Sequence, residues 1–290
     1  MTKKHLLKRV FTILPGIALA FCAVSTTVAL NSCGNSGAND SIVVVAGAAS
    51  KEDLMKIVEG GWVNLNYGEA LMRVHSPMFA AEAGRPVQEM HFDLTKMKGD
   101  TLFNRTGRVN YLPGERFDIV FGEENGSNVM MIYEGMAVND PATLSYKING
   151  DDTLLCVVRK GSNDSDWYTR VYRTAPIRAG ISQNALEHYV NSSLFAGEWK
   201  ATDGSMVTFS ADGKVSGWSK WTWFNVEIDK YGTEIQPDVM SAYNDKMGAT
   251  YVYTLDNDRL SIFEYDTNSE DGMWTRGDLV IELTRKHAGQ

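Results

Sequence analysis

Three stretches of this chain carry residue types at spacings that chemistry could use. Gly217-Trp218-Ser219-Lys220-Trp221 starts like the Gly-x-Ser-x-Gly turn that lifts a serine nucleophile off a strand. Trp221 stands where the closing glycine belongs, and the surrounding pattern is a β-meander with no strand-to-helix turn to expose the hydroxyl. Asp266-Thr267-Asn268-Ser269-Glu270-Asp271-Gly272 starts like a calcium loop, but Asp271 takes the sixth place, where glycine must turn the chain. The twelfth place is Gly277 and not a bidentate glutamate, so solvated hairpin turns explain this stretch and Asn163-Asp164-Ser165-Asp166 better. His75, His91, His188 and His287 are scattered with no pair at zinc spacing, and no two carboxylates single themselves out for acid–base work. The expectation is therefore no catalytic residue, no metal and no cofactor. The third stretch, Trp218, Trp221, Trp223 and Phe224, suits binding. Trp221 and Trp223 share parity, so on a strand both would face one side. They would then grip an apolar molecule or a sugar ring, or else fill the core, which is where bulky aromatics usually go.

These stretches follow a segment with an address. Lys3, Lys4, Lys8 and Arg9 precede the apolar run 10–24, broken by Pro15-Gly16, and small residues lead to Cys33. That order is a secretory signal, with an apolar run too short for a comfortable membrane span. Leu30-Asn31-Ser32-Cys33 resembles the lipobox of bacterial lipoproteins, in which the cysteine is lipidated and becomes the mature N-terminus. The resemblance implies a signal over 1–32 and a lipid anchor at Cys33. Gly34 in place of an acid resembles an outer-membrane destination, with the periplasmic or cell-surface face open. Residues 33–49 read as the lipidated cysteine and a flexible tether.

Charge and cysteines bound the rest. Removing the four basic residues of the signal leaves 24 bases against 36 acids, a net charge of −12. That excludes a nucleic-acid partner, whose phosphates demand a basic patch, and leaves the lipid as the membrane anchor. Cys22 lies in the signal, so Cys156 alone remains, inside the apolar run Leu154-Leu155-Cys156-Val157-Val158, where it reads as a small buried hydrophobe. Stability must then come from core packing.

The mature chain reads as two similar halves, 50–176 and 181–288. Each opens with a short helix, Ser50 to Glu59 or Ser182 to Val190, that runs into a tryptophan, Trp62 or Trp199. Each continues as short Val-, Ile-, Tyr- and Thr-rich segments between Gly, Asn and Asp turns, and closes on a basic strand ending at Arg173 or Arg285. Turns at this spacing predict antiparallel meanders of about eight strands per half, the number at which a small barrel closes. A linker falls near 175–180. The fold class is all-β with short helices.

Gly197-Glu198-Trp199, Phe209-Ser210-Ala211-Asp212-Gly213 and Leu260-Ser261-Ile262 resemble the lipocalin-like domains of uncharacterised lipoproteins from Gram-negative anaerobes. The first half departs more: Gly61 directly precedes Trp62, without a spacer, and no Phe-x-x-Asp-Gly follows. The resemblance implies two tandem barrels, each closed at one end by a Trp–Arg contact: Trp199 under Arg285, and Trp62 under Arg173 or Arg170. It implies a non-catalytic binder of a small apolar molecule or glycan; the alternative is a structural component docking on an envelope protein complex. Metabolic labelling with a palmitate analogue should mark the wild-type chain and leave Cys33→Ala unmarked. Equal labelling of both would remove the anchor.

Overall fold

Helix α1 (Lys51–Val58) begins at a capping box: Ser50 Oγ accepts from the Asp53 amide at 3.1 Å, and the Asp53 carboxylate accepts from the Ser50 amide at 3.3 Å. The computed structural model describes residues 49–83, 87–103, 107–109, 112–115, 117–124, 126–134, 142–149, 152–159, 165–178, 181–228, 237–266 and 275–287. Cys33, the signal, the 267–274 turn and residues 160–164 lie outside the described residues.

The chain is mostly β, in two sheets that form a half-barrel and a nearly closed barrel. The first sheet takes β1 (Gly60–Asn64), β2 (Val87–Phe92), β3 (Met97–Lys98), β4 (Thr101–Leu102), β5 (Gly107–Val109), β6 (Leu112–Glu115), β7 (Phe117–Glu124), β8 (Ser127–Glu134), β9 (Ala142–Asn149), β10 (Asp152–Val158) and β11 (Ser165–Tyr172). Their order is β3-β4-β7-β8-β9-β10-β11-β1-β2-β5-β6. The expected linker is itself a small hairpin, β12 (Ile177–Arg178) with β13 (Ile181–Ser182).

The second sheet takes β14 (Gly197–Ala201), β15 (Met206–Phe209), β16 (Val215–Ser216), β17 (Trp223–Val226), β18 (Val239–Tyr243), β19 (Gly248–Asp256), β20 (Arg259–Asp266) and β21 (Thr275–Arg285). Each pairs with its sequence neighbour along β14-β15-β16 and β17-β18-β19-β20-β21, and β21 returns to β14. A bridge between Lys214 and Trp223 joins the β16 and β17 edges. The expected eight strands thus occur in the second half, whereas the first has eleven, five of them four residues or shorter.

Two helices lie where the sequence pattern suggests strands. Asn64 ends β1 and caps α2 (Leu65–Val74), its side chain accepting from the Asn66 and Tyr67 amides. His75, at φ 53°, ends that helix, and Pro77 opens α3 (Pro77–Ala83). Proline costs a first helical turn nothing, since its missing N–H has no partner there. A further helix, α4 (Ala185–Val190), continues into a π-turn over Asn191–Phe195.

One core fills the half-barrel: Leu54 and Val58 of α1 with Trp62, Met90, Phe92, Phe117, Ile119 and Tyr168. The other crosses the expected domain boundary. Tyr67, Ala70, Leu71, Ala80 and Ala81 of α2 and α3 are buried in the same cluster as Leu186, Phe195, Trp199, Phe224 and Tyr253. Helices assigned by sequence to the first half therefore plug the second barrel, and both sheets belong to one compact unit.

The entry to each sheet is the same turn made twice. Glu59 (φ −55°, ψ 132°) and Ala196 (φ −54°, ψ 132°) end their helices identically. Gly60 (φ 120°) and Gly197 (φ 130°) follow in a region only glycine enters freely, each two residues before its tryptophan. The spacer expected to be missing from the first half is Gly61, with Gly60 as the matching glycine. Replacing either turn glycine by alanine should cost about 1–3 kcal/mol of backbone strain. Gly60→Ala should cost more than Gly197→Ala, because its Cβ would fall 2.2 Å from the Tyr172 carbonyl oxygen, while that of Gly197 meets nothing nearer than 3.7 Å. Denaturant titration of the two variants checks the order.

Candidate functional site

Trp218 and Trp221 lie on the β16–β17 loop at one end of the second barrel, 3% and 6% exposed. The loop is tightly wound: Gly217 sits at φ 78° and Ser219 at φ 48°. This corrects the parity argument, since alternation holds only along a strand and β17 begins at Trp223. Trp221 turns inward, with Nε1 donating to Tyr251 Oη at 3.1 Å. Trp223 lies half-buried on the outer face with the Lys214 ammonium 5.6 Å from its ring, while the Lys220 ammonium is 4.9 Å from that of Trp221. Ser219, on its loop between strands, has no helix behind it to form a nucleophile elbow.

The rings do not stop at this end. Trp221 and Trp218 contact Tyr251 at 6.4 and 5.2 Å between centroids, and Trp218 reaches Phe209 at 6.2 Å. Phe209 meets Phe224 at 5.0 Å, Phe224 meets Phe195 at 5.7 Å, and Phe195 meets Tyr253 at 5.2 Å. An unbroken chain of aromatic side chains thus runs the length of the barrel, from the loop end to the helical plug. Edge-to-face pairs of this kind contribute about 0.5–1.5 kcal/mol each beyond their burial.

At the helical end of each sheet a tryptophan sits under an arginine. The Arg285 guanidinium lies 4.3 Å above the Trp199 ring, and that of Arg170 lies 4.6 Å above Trp62. In both pairs the two residues are cross-strand partners. Trp199 Nε1 donates to the Phe195 carbonyl and Trp62 Nε1 to the Val58 carbonyl, each at 2.7 Å. Arg285 donates to the Leu194 and Ala196 carbonyls, and Arg170 to the Ile57 carbonyl. Arg173 lies further along the chain, exposed, donating to the Lys56 carbonyl at 3.2 Å, so Arg170 is the stacked residue. Burial pulls Arg170 down to about 10, with Arg173 adding to the shift and Glu59 opposing it, which still leaves a cation at neutral pH. Both closures are structural, as every polar group in them is spent on a helix end.

The residues that sequence reasoning missed join the two sheets. Glu89 of β2 accepts from the Leu186 amide at 2.7 Å, at the start of α4. In return Asp238, just before β18, accepts from Ser76 Oγ at 2.9 Å and from the Met78 amide at 3.4 Å, at the start of α3. Each half thus supplies a carboxylate to a helix that the other half buries. The residue Asp238 is half-buried, but its carboxyl is enclosed, and burial pushes it up to about 6 against the opposing bonds from Ser76 and Met78. The Ser76-Pro77 pair was a legible helix start; nothing local marked Asp238 as its partner. Among the described residues, no group of three or more His, Cys, Asp or Glu is placed to hold a metal ion. No helix of the described residues is long and apolar enough to cross a membrane. Cys156 is a free, buried thiol.

No family model, no curated protein and no solved structure matches this chain.

The raised Asp238 carboxyl makes a signed prediction. Between the unfolded carboxylate range and about 6 the folded chain binds the extra proton, so this group favours folding most at low pH and loses that contribution as pH rises through about 6. His91 and His188, which burial pushes down, slope the other way, so the comparison must be between variants. Asp238→Asn keeps an acceptor oxygen and removes the titration. Its melting temperature relative to wild type should be higher at pH 7.5 than at pH 4.5; a constant offset would contradict the assignment.

Proposed function

We propose that this chain is an envelope lipoprotein, anchored at the outer membrane by lipid on Cys33, that acts without catalysis as a structural or assembly component. The observation that carries this reading is the chain of rings from Trp221 to Tyr253, which fills the second barrel, with α2 and α3 packed into the same core. A filled barrel leaves contact to its outer surface. The corner between α2 and α3 presents Met72, Val74 and Phe79, 50%, 39% and 47% exposed, and apolar side chains gathered on a surface are suited to a protein partner. The duplicated Gly-x-Trp turn under a stacked arginine supports reading the sheets as tandem lipocalin-like barrels. Fold alone would not give the role, since such barrels serve many.

A second reading, capture of a small apolar molecule or glycan at the loop carrying Trp218 and Trp221, is favoured by Ser219. A non-glycine residue at positive φ stores strain that functional loops often use. Tryptophan fluorescence separates the two. For an assembly component the emission should be blue, resist iodide, and stay unchanged with fatty acids or oligosaccharides, whereas a saturable shift would transfer the conclusion to ligand capture. In a detergent extract, Met72→Ser/Phe79→Ser should keep the Cys33 label but elute at a smaller native size than wild type.

A further inference from the structure

Tyr172, on the outer face of β11, has an imidazole on each side. His91 of β2 and His188 of α4 both meet its ring edge-on, with centroids 5.7 Å away. Tyr172 Oη donates to the Gln183 carbonyl at 2.9 Å, and Gln183 Oε1 stands 3.1 Å from His188 Nδ1. This cluster is where α4 lies on the first sheet. A Cβ on Gly61 of β1 would fall 2.5 Å from the Tyr172 ring and 2.8 Å from Ala185 Cβ, so no side chain fits between them.

We propose that this joint is proton-operated: protonation of His91 and His188 releases α4 from the outer face of β1, β2 and β11, while Asp238 keeps α3 seated in the end of the second barrel. The halves would pivot about the α3 contact and stay together. The argument is one of solvation. Both imidazoles pack against an aromatic ring in a seam that water enters only if α4 lifts, and a charged imidazole there must be solvated or paired. The acidic groups that face them are Asp93 beside His91, Asp212 from the β15–β16 turn beside His188, Glu89 of β2, and Glu187 of α4 near Tyr172. Burial outweighs them, and both imidazoles are held below their ordinary value, with Asp93 and Asp212 pulling the other way. Glu89 is already committed to the Leu186 amide. At the opposite contact the sign reverses, because a proton on Asp238 removes a desolvated charge while leaving an acceptor for the Met78 amide.

Hydrogen exchange on the full chain at pH 7 and pH 5, corrected for intrinsic rates, tests this. The expected result is loss of protection at pH 5 confined to 185–195, with 77–83 and the strands of the second barrel unchanged. His91→Gln and His188→Gln should each reduce that loss, and the double variant should abolish it. Unchanged protection at 185–195, or an equal loss across both sheets, would overturn the proposal. Should the variants fail to fold, proton NMR titration of the wild-type histidines decides: both midpoints should fall below the ordinary imidazole value and move together with the Tyr172 ring signals. Ordinary midpoints, or Tyr172 signals that ignore the titration, would overturn it.

Discussion

A buried indole N–H has no water to bond, and a helix end has carbonyls without partners. Both sheets depend on bringing these two needs together. Trp62 and Trp199 are fully buried, and each donates to a carbonyl four residues back, in the last turn before its strand. That single bond fixes where the helix stops, how the chain turns, and which face of the first strand points inward. Gly60 and Gly197 supply the backbone that the turn requires. The arginine from the last strand then covers the indole and takes neighbouring carbonyls, so first strand, last strand and helix are tied at one place. Pairing of first and last strands is what curls a meander toward closure.

The two closures are alike down to their backbone angles, yet the sheets around them differ, and the difference traces to one insertion. In the second half β14 and β15 are joined by a tight turn, in which Asp203 accepts from the Ser205 amide and hydroxyl. In the first half the same position, between β1 and β2, holds α2 and α3. Those helices leave their own sheet and spend their apolar faces on the other barrel. Gly68 of α2 allows the approach, as its Cβ would fall 2.6 Å from Tyr189 Oη.

What could be read in advance follows from what is local. The Ser50 capping box, the turns, the strand pattern of the second half and the Trp199–Arg285 pair each depend on residues at short or regular spacing. The Trp62 turn was misread by one residue because Gly60-Gly61-Trp62 offers two glycines, and only the backbone shows which takes positive φ. Arg170 and Arg173 are both basic and three residues apart, and register with Trp62, which decides between them, belongs to the pairing and not to the composition. The tryptophan run misled because period-two reasoning was extended into a loop. Asp238 was illegible, as its meaning depends on a serine 162 positions away.

That distance matters for how the halves hold together. The helices exchanged at the joint are short, seven residues in α3 and six in α4, and helices of that length are unstable alone. Each is made viable by burial and by an acceptor from the opposite half, Asp238 for one and Glu89 for the other. The dependence is mutual, so neither half presents a finished surface without its neighbour. A tandem of two barrels that began as equivalent turns has thereby become a single body, in which the plug of one barrel is encoded between the first two strands of the other. The exposed corner of Met72, Val74 and Phe79 is part of that plug, so any partner docking there meets both halves of the chain through one pair of helices.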